Sequence, residues 1–143
     1  MATFQVFHEA RNDLLKGVHD LVNNTVKVAF FTNSASITTA DATPSYTDYV
    51  GNETTGGNVP VGGNALAGKT VTHVTTTTTF DANDLVINQN GSNPTAARYS
   101  VYYNDSAAGK NALGFVDWGA DQDLSAGNNT IDHSNGIFDV TGN

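Results

Sequence analysis

The sequence predicts an all-β fold, a jelly-roll-like antiparallel β-sandwich with one short N-terminal helix, forming a single domain over residues 1–143. Three observations carry that prediction. Short runs rich in Val, Thr, Phe and Tyr are separated by Gly, Asn, Asp and Ser turns at roughly 8–12-residue intervals, enough for roughly seven to nine strands. Ala97–Gly119 reads as a long-looped hairpin. In it, Arg98–Tyr103 alternates, with Tyr99, Val101 and Tyr103 on one face and Arg98, Ser100 and Tyr102 on the other, and Leu113–Trp118 follows a polar Asn104–Asn111 connection. Strand and helix patterns do not alternate, so the crossover units of a parallel sheet are not expected.

Taken in order, residues 4–17 predict the helix. Phe7, Ala10, Leu14 and Val18 share a face, Leu15 lies beside it, and Gly17 is placed as a left-handed cap. Thr25–Thr32 predicts a strand with Val26, Val28 and Phe30 on one face and Lys27, Ala29 and Phe31 on the other. An aromatic on both faces predicts cover on both. Asn33–Pro44 reads as a loop, and Tyr46–Val50 is an apolar patch with no element assigned. Residues 51–68 form a Gly-rich loop with a brief strand near Val59–Val61 or Asn64–Leu66. Thr70–Phe80 predicts one continuous strand, because consecutive threonines favour extended backbone. Leu85–Asn88, Asn129–His133 and Gly136–Val140 supply the remaining short strands.

Composition narrows the function. A net charge of −8, with only 6 Lys and Arg, argues against nucleic acid and against an anionic membrane surface as partners. The chain holds no cysteine, which removes disulfides, zinc–thiolate sites and thiol nucleophiles. No apolar run is long enough to span a bilayer, and the N-terminus lacks a basic-then-apolar leader, so a cytoplasmic product, or one joining something assembled there, is expected. Charged residues are 14%, replaced by Thr, Asn, Gly and Ser, a composition suited to faces that pack against other protein.

Motifs of chemistry are sparse. The Gly-rich loop has neither dinucleotide nor P-loop spacing, and Lys69 does not stand where a P-loop lysine would. His8, His19, His73 and His133 are scattered, without a metalloprotease pair, and no nucleophile elbow occurs. Asp117, Asp121 and Asp123 are close enough in sequence to suggest calcium ligands, yet lack the EF-hand order, so no metal and no cofactor is expected. Triplets led by Asn23, Asn52, Asn90, Asn104 and Asn128 match the glycosylation acceptor and read as turn composition in a chain without a leader.

The order of features resembles a family of small structural proteins of tailed bacteriophages. A helical opening F-x-x-A-x-x-x-L-x-x-G-x-H-x-L is matched by Phe7–Leu21, and a strand D/N-T-x-K-V-A-x-x-T-N by Asn24–Asn33. Gly51–Asn58 approaches G-N-x-Y-x-x-G-G, with Thr54 where the family carries an aromatic. Gly62–Gly68 matches G-G-x-x-L-x-G, and Thr75–Leu85 matches a Thr-rich strand ending F-D-A-x-D. Ala97–Asp105 matches A-R-Y-x-V-x-Y-N-D, Leu113–Gly127 matches L-x-x-x-D-x-G-x-D-Q-x-x-S-A-G, and Gly136–Val140 the closing G-I-x-x-V. The resemblance implies a β-sandwich with virion-structural duty, a capsid decoration or cement protein. It would be made in the host bacterial cytoplasm and carried on the capsid surface, with the major capsid protein and copies of itself (a homodimer or homotrimer) as partners. Contacts are then expected from the apolar N-terminal segment (Phe4, Phe7) and from the long loop (Asn58, Val59, Val61). A tail- or fibre-associated protein, a carbohydrate-binding module using Tyr102, Tyr103 or Trp118, and a hydrolase are the rival readings.

Overall fold

The computed structural model describes residues 2–142. In chain order these form β1 (Phe4–Val6), α1 (His8–Leu15), β2 (Val26–Phe31), the one-turn α2 (Tyr46–Tyr49), β3 (Asn64–Ala65), β4 (Thr70–Val74) and β5 (Thr77–Asp81). Then follow β6 (Leu85–Ile87), β7 (Ala97–Asn104), β8 (Ala112–Gln122), β9 (Asn129–Ile131) and β10 (Phe138–Thr141). Single 3-10 turns lie at Asn33–Ala35 and Val50–Asn52.

The predicted antiparallel β-sandwich is present. Its frame is a five-stranded sheet in the order β1-β8-β7-β2-β3, paired antiparallel throughout. The central strands β7 and β2 alternate as their sequences require, and both of their faces are buried. Val26, Val28, Phe30, Tyr102, Leu113 and Val116 pack against Phe80, Ile87, Ile131 and Ile137 beneath the sheets β10-β5-β4 and β6-β9. On the opposite face Ala29, Phe31, Val101, Tyr103 and Phe115 meet Phe7 and Ala10 of the α1 region, Ile37 and Tyr49. A layer of helix and loop thus covers the second face of the sandwich.

The predicted helix over residues 4–17 is divided. Phe4–Val6 is a strand, registered Phe4↔Val116 to Val6↔Gly114 along the edge of β8. Tertiary pairing wins here because β8 offers a free ladder and Gly114 offers room. The Phe4 ring lies where a side chain on Gly114 would stand, edge-on to Tyr102 at 4.9 Å and stacked on Phe138 at 5.7 Å. Phe7 is the N-cap, and α1 ends as predicted at Gly17. With φ +74 there, Val18 N–H reaches Asp13 O and Gly17 N–H reaches Leu14 O, the paired closure that a left-handed glycine allows.

The Tyr46–Val50 patch is α2, whose first turn is closed reciprocally by Ser45 and Asp48. The expected single strand Thr70–Phe80 is in fact a hairpin. β4 and β5 pair from Thr70↔Asp81 to Val74↔Thr77 across a two-residue turn at Thr75 and Thr76. No Gly, Asn or Pro marks that turn, which is why period-2 reading ran through it. Thr75 bears the cost at φ +56, a region β-branched residues seldom adopt. Thr75→Gly is therefore expected to raise stability by about 0.5–1 kcal/mol, the left-handed penalty less the added chain entropy of glycine. A thermal melt that falls instead would show that the Thr75 side chain contributes more than its backbone costs.

Candidate functional site

Many of the polar side chains hold the fold. Arg98 Nε donates to Asp117 Oδ1 at 2.5 Å and a second guanidinium nitrogen to Oδ2 at 3.3 Å, while Gly119 N–H caps the same carboxylate. The guanidinium holds the Asp117 carboxyl below its ordinary range. Asp123 caps Ser125 and Asp132 caps Ser134. Asp117, Asp121 and Asp123 therefore do not form a cage, and among the described residues no three acidic or imidazole groups converge on one point. Asp105 is held by Lys27 at 2.9 Å and Lys110 at 2.7 Å.

The buried imidazoles are structural as well. His133 Nδ1–H donates to Asn83 O at 2.9 Å, and Nε2 accepts from the Tyr102 hydroxyl at 2.9 Å. Asn104 is the hub at the far end of β7. Its amide donates to Val18 O at 3.1 Å and to Asn24 Oδ1 at 2.7 Å and lies 3.3 Å from His19 Nδ1, and its carbonyl accepts from Ser106 and Ala107 N–H. The His19 Nε2 stands 3.9 Å from Asp13 Oδ2 without a hydrogen-bond partner among the described residues.

Burial depresses the His19 pKa and outweighs the opposing pull of Asp13. The unfolded chain then takes up a proton near pH 6.5 that the folded chain refuses until lower pH. Stability is expected to fall as pH drops below about 6.5 and to level once the folded-state value is passed. Urea midpoints at about pH 7.5 and about pH 5.5 check this, with a smaller difference expected in His19→Gln. Equal drops in both proteins would reassign the effect.

Two surface features remain. The first is a groove of about 460 Å³ between α1 and β10, lined by Val6, Leu14, Leu15, Phe138 and Val140, with Arg11 and Asp139 its charged members. Leu15 is 91% exposed, and Arg11 makes no ion pair among the described residues. The sequence signal was Leu14 beside Leu15, an apolar stripe wider than one helix face needs. The second is the β4–β5 hairpin, whose outer strand is exposed at every position and paired on one side only.

Of the residues expected to make contacts, Phe7 and Val59 are buried within this chain and Phe4 is partly buried against the core, while Asn58 and Val61 reach the surface. The long loop is tied at several points. Thr54 N–H bonds Phe30 O, Gly62 N–H bonds Glu53 Oε1, the Tyr103 hydroxyl bonds Gly62 O, and Asn58 N–H bonds Asn93 Oδ1. Glu53 also accepts from the Tyr46 hydroxyl at 2.7 Å, and the Tyr46 pKa is pushed up to about 12, by burial first and this bond second. Tyr102 and Tyr103 are buried and present no stacking face; Trp118 is half-buried, its indole N–H donating to Ser100 at 3.2 Å. No helix among the described residues is long and apolar enough to cross a membrane. The chain matches no protein-family model, no curated protein and no solved structure.

Proposed function

We propose that this chain is a structural protein of a tailed-bacteriophage virion, a capsid decoration protein that binds the outer surface of the major capsid lattice and stabilises the head. One observation carries the reading. The buried imidazoles and the ion-paired carboxylates are engaged in holding the fold, whereas apolar side chains such as Leu15, Val61, Val74 and Val140 stand exposed. Such a surface suits protein contact rather than turnover. The run of family-like motifs over the chain supports the same duty; most of them fall on α1, β2, β5, β7, β8 and β10, while Gly51–Asn58 and Gly62–Gly68 lie in the long loop and around β3. In this reading the protein is not an enzyme and needs no cofactor; it acts by adding buried area across joints in the shell, and its net charge of −8 keeps decorated particles apart.

Cryo-electron microscopy of the particle that carries the chain tests this. Density repeated over the capsid lattice is the expected result. Density confined to the tail would replace the capsid role with a tail role, and absence from purified particles would overturn both.

A further inference from the structure

Sheet edges are where a β-protein is open to pairing, and folds usually guard them with charge, proline, bulges or brevity. Among the described residues the strand edges are guarded except one. β3 has two residues, and β1, β6 and β9 have three each. β10 carries Asp139. β4 has five residues, Thr-Val-Thr-His-Val, exposed on both faces, with no proline, acid or lysine within it. From Thr70 to Phe80 there is no formal charge, with Lys69 and Asp81 flanking the run. On a molecule of net charge −8, this hairpin is a place where two copies can meet without like charges facing one another.

The hydrogen-bond parity of β4 also suits itself. The two-residue turn makes Val74 and Thr77 the bonded closing pair, so Thr72 and Thr70 bond inward to β5. Val71 and His73 therefore direct N–H and C=O groups away from the sheet. An antiparallel pairing centred on Thr72 sets Val71 of one copy against His73 of the other, each such pair exchanging both of its bonds. Thr72 meets Thr72 in the close, non-bonded position between them, a favourable side-chain match. Lys69 falls opposite Thr75, so the register places no like charges together.

We infer that β4 is the contact between two copies of this chain, joined edge to edge about a two-fold axis through Thr72 into one six-stranded sheet β10-β5-β4-β4-β5-β10. Such a self-complementary patch closes on itself and does not polymerise. A five-residue edge buries less than the roughly 1,200–2,000 Å² of stable complexes, so the dimer is weak in solution and strengthens where copies are held side by side.

The test needs only the full chain in solution and is independent of any virion role. The chain has no cysteine, so Thr70→Cys through Val74→Cys each introduce a single thiol. Under mild oxidation at high protein concentration, covalent dimer is expected to peak at Thr72→Cys, where paired Cα atoms approach about 4.5 Å. Mixing Val71→Cys with His73→Cys should yield the crossed dimer. Sedimentation velocity should show a concentration-dependent dimer in the parent chain and its loss in the double variant Val71→Lys/His73→Lys, which sets lysines opposite each other while its circular dichroism stays that of the parent. A parent chain that remains monomeric, a dimer that survives the lysine variant, or cross-linking that peaks away from Thr72 overturns the inference.

Discussion

Replacing Gly63 by alanine is expected to remove more than about 3 kcal/mol of stability, enough to leave little folded protein in a marginal domain. Gly63 sits at φ +77 in the turn that leads into β3, and it is buried. A Cβ there would stand 2.5 Å from Val28 C and 2.6 Å from Ala29 Cα, and closer still to Val28 O. Those atoms belong to the backbone of β2, which pairs with β7 along its length and cannot yield cheaply. The neighbouring Gly62 is the control. It has φ +81, but its nearest neighbour is the Tyr103 hydroxyl at 3.4 Å. Gly62→Ala then pays only the left-handed penalty, about 1–2 kcal/mol. Urea unfolding of the two variants separates clash from dihedral strain. Equal losses would mean that β2 relaxes around the new methyl group.

Tyr102→Ala is expected to cost about 3–5 kcal/mol, the range for emptying a buried aromatic site. The side chain is buried in the core between the frame sheet and the two smaller sheets. Phe4 packs on it edge-on at 4.9 Å, and the His133 ring lies at 5.8 Å. Truncation therefore loosens β1, which that ring helps hold, and leaves His133 Nε2 buried without its donor. Tyr102→Phe isolates the second effect and should cost about 1–3 kcal/mol. Burial raises the Tyr102 pKa well above the ordinary phenol, so the hydroxyl stays a donor through neutral and alkaline pH. If Tyr102→Phe proves neutral in equilibrium unfolding, the imidazole has found water or another partner.

The Arg98–Tyr103 alternation was legible because Tyr99, Val101 and Tyr103 recur at every second position, and a period of two has one structural solution. The hairpin onto Leu113–Trp118 was legible from its polar connection, although β7 and β8 are longer than the pattern suggested and carry register shifts near Ala97–Tyr99 and Tyr102–Tyr103. The turn within the threonine run was not legible. Threonine reads as strand at every position, and only the pairing of Val74 with Thr77 reveals which residues leave the ladder. The N-terminal strand was hidden for a related reason: Phe4–Val6 fits a helical stripe as well as an edge strand, and β8 decides between them.

Local chemistry by itself determined the fold class, the glycine closure of α1, the alternation of β2 and β7, and the absence of the sequence motifs of common enzyme sites, because each depends on neighbours in sequence. The tertiary structure decided what depends on distant partners. It placed Phe7 and Val59 inside, drew Asp117 to Arg98, opened the groove between α1 and β10, and left β4 with one side unpaired. The physical reason is that exposure, ion pairing and free edges are properties of which surfaces meet, and a chain of small neutral residues specifies its strands well before it specifies their neighbours.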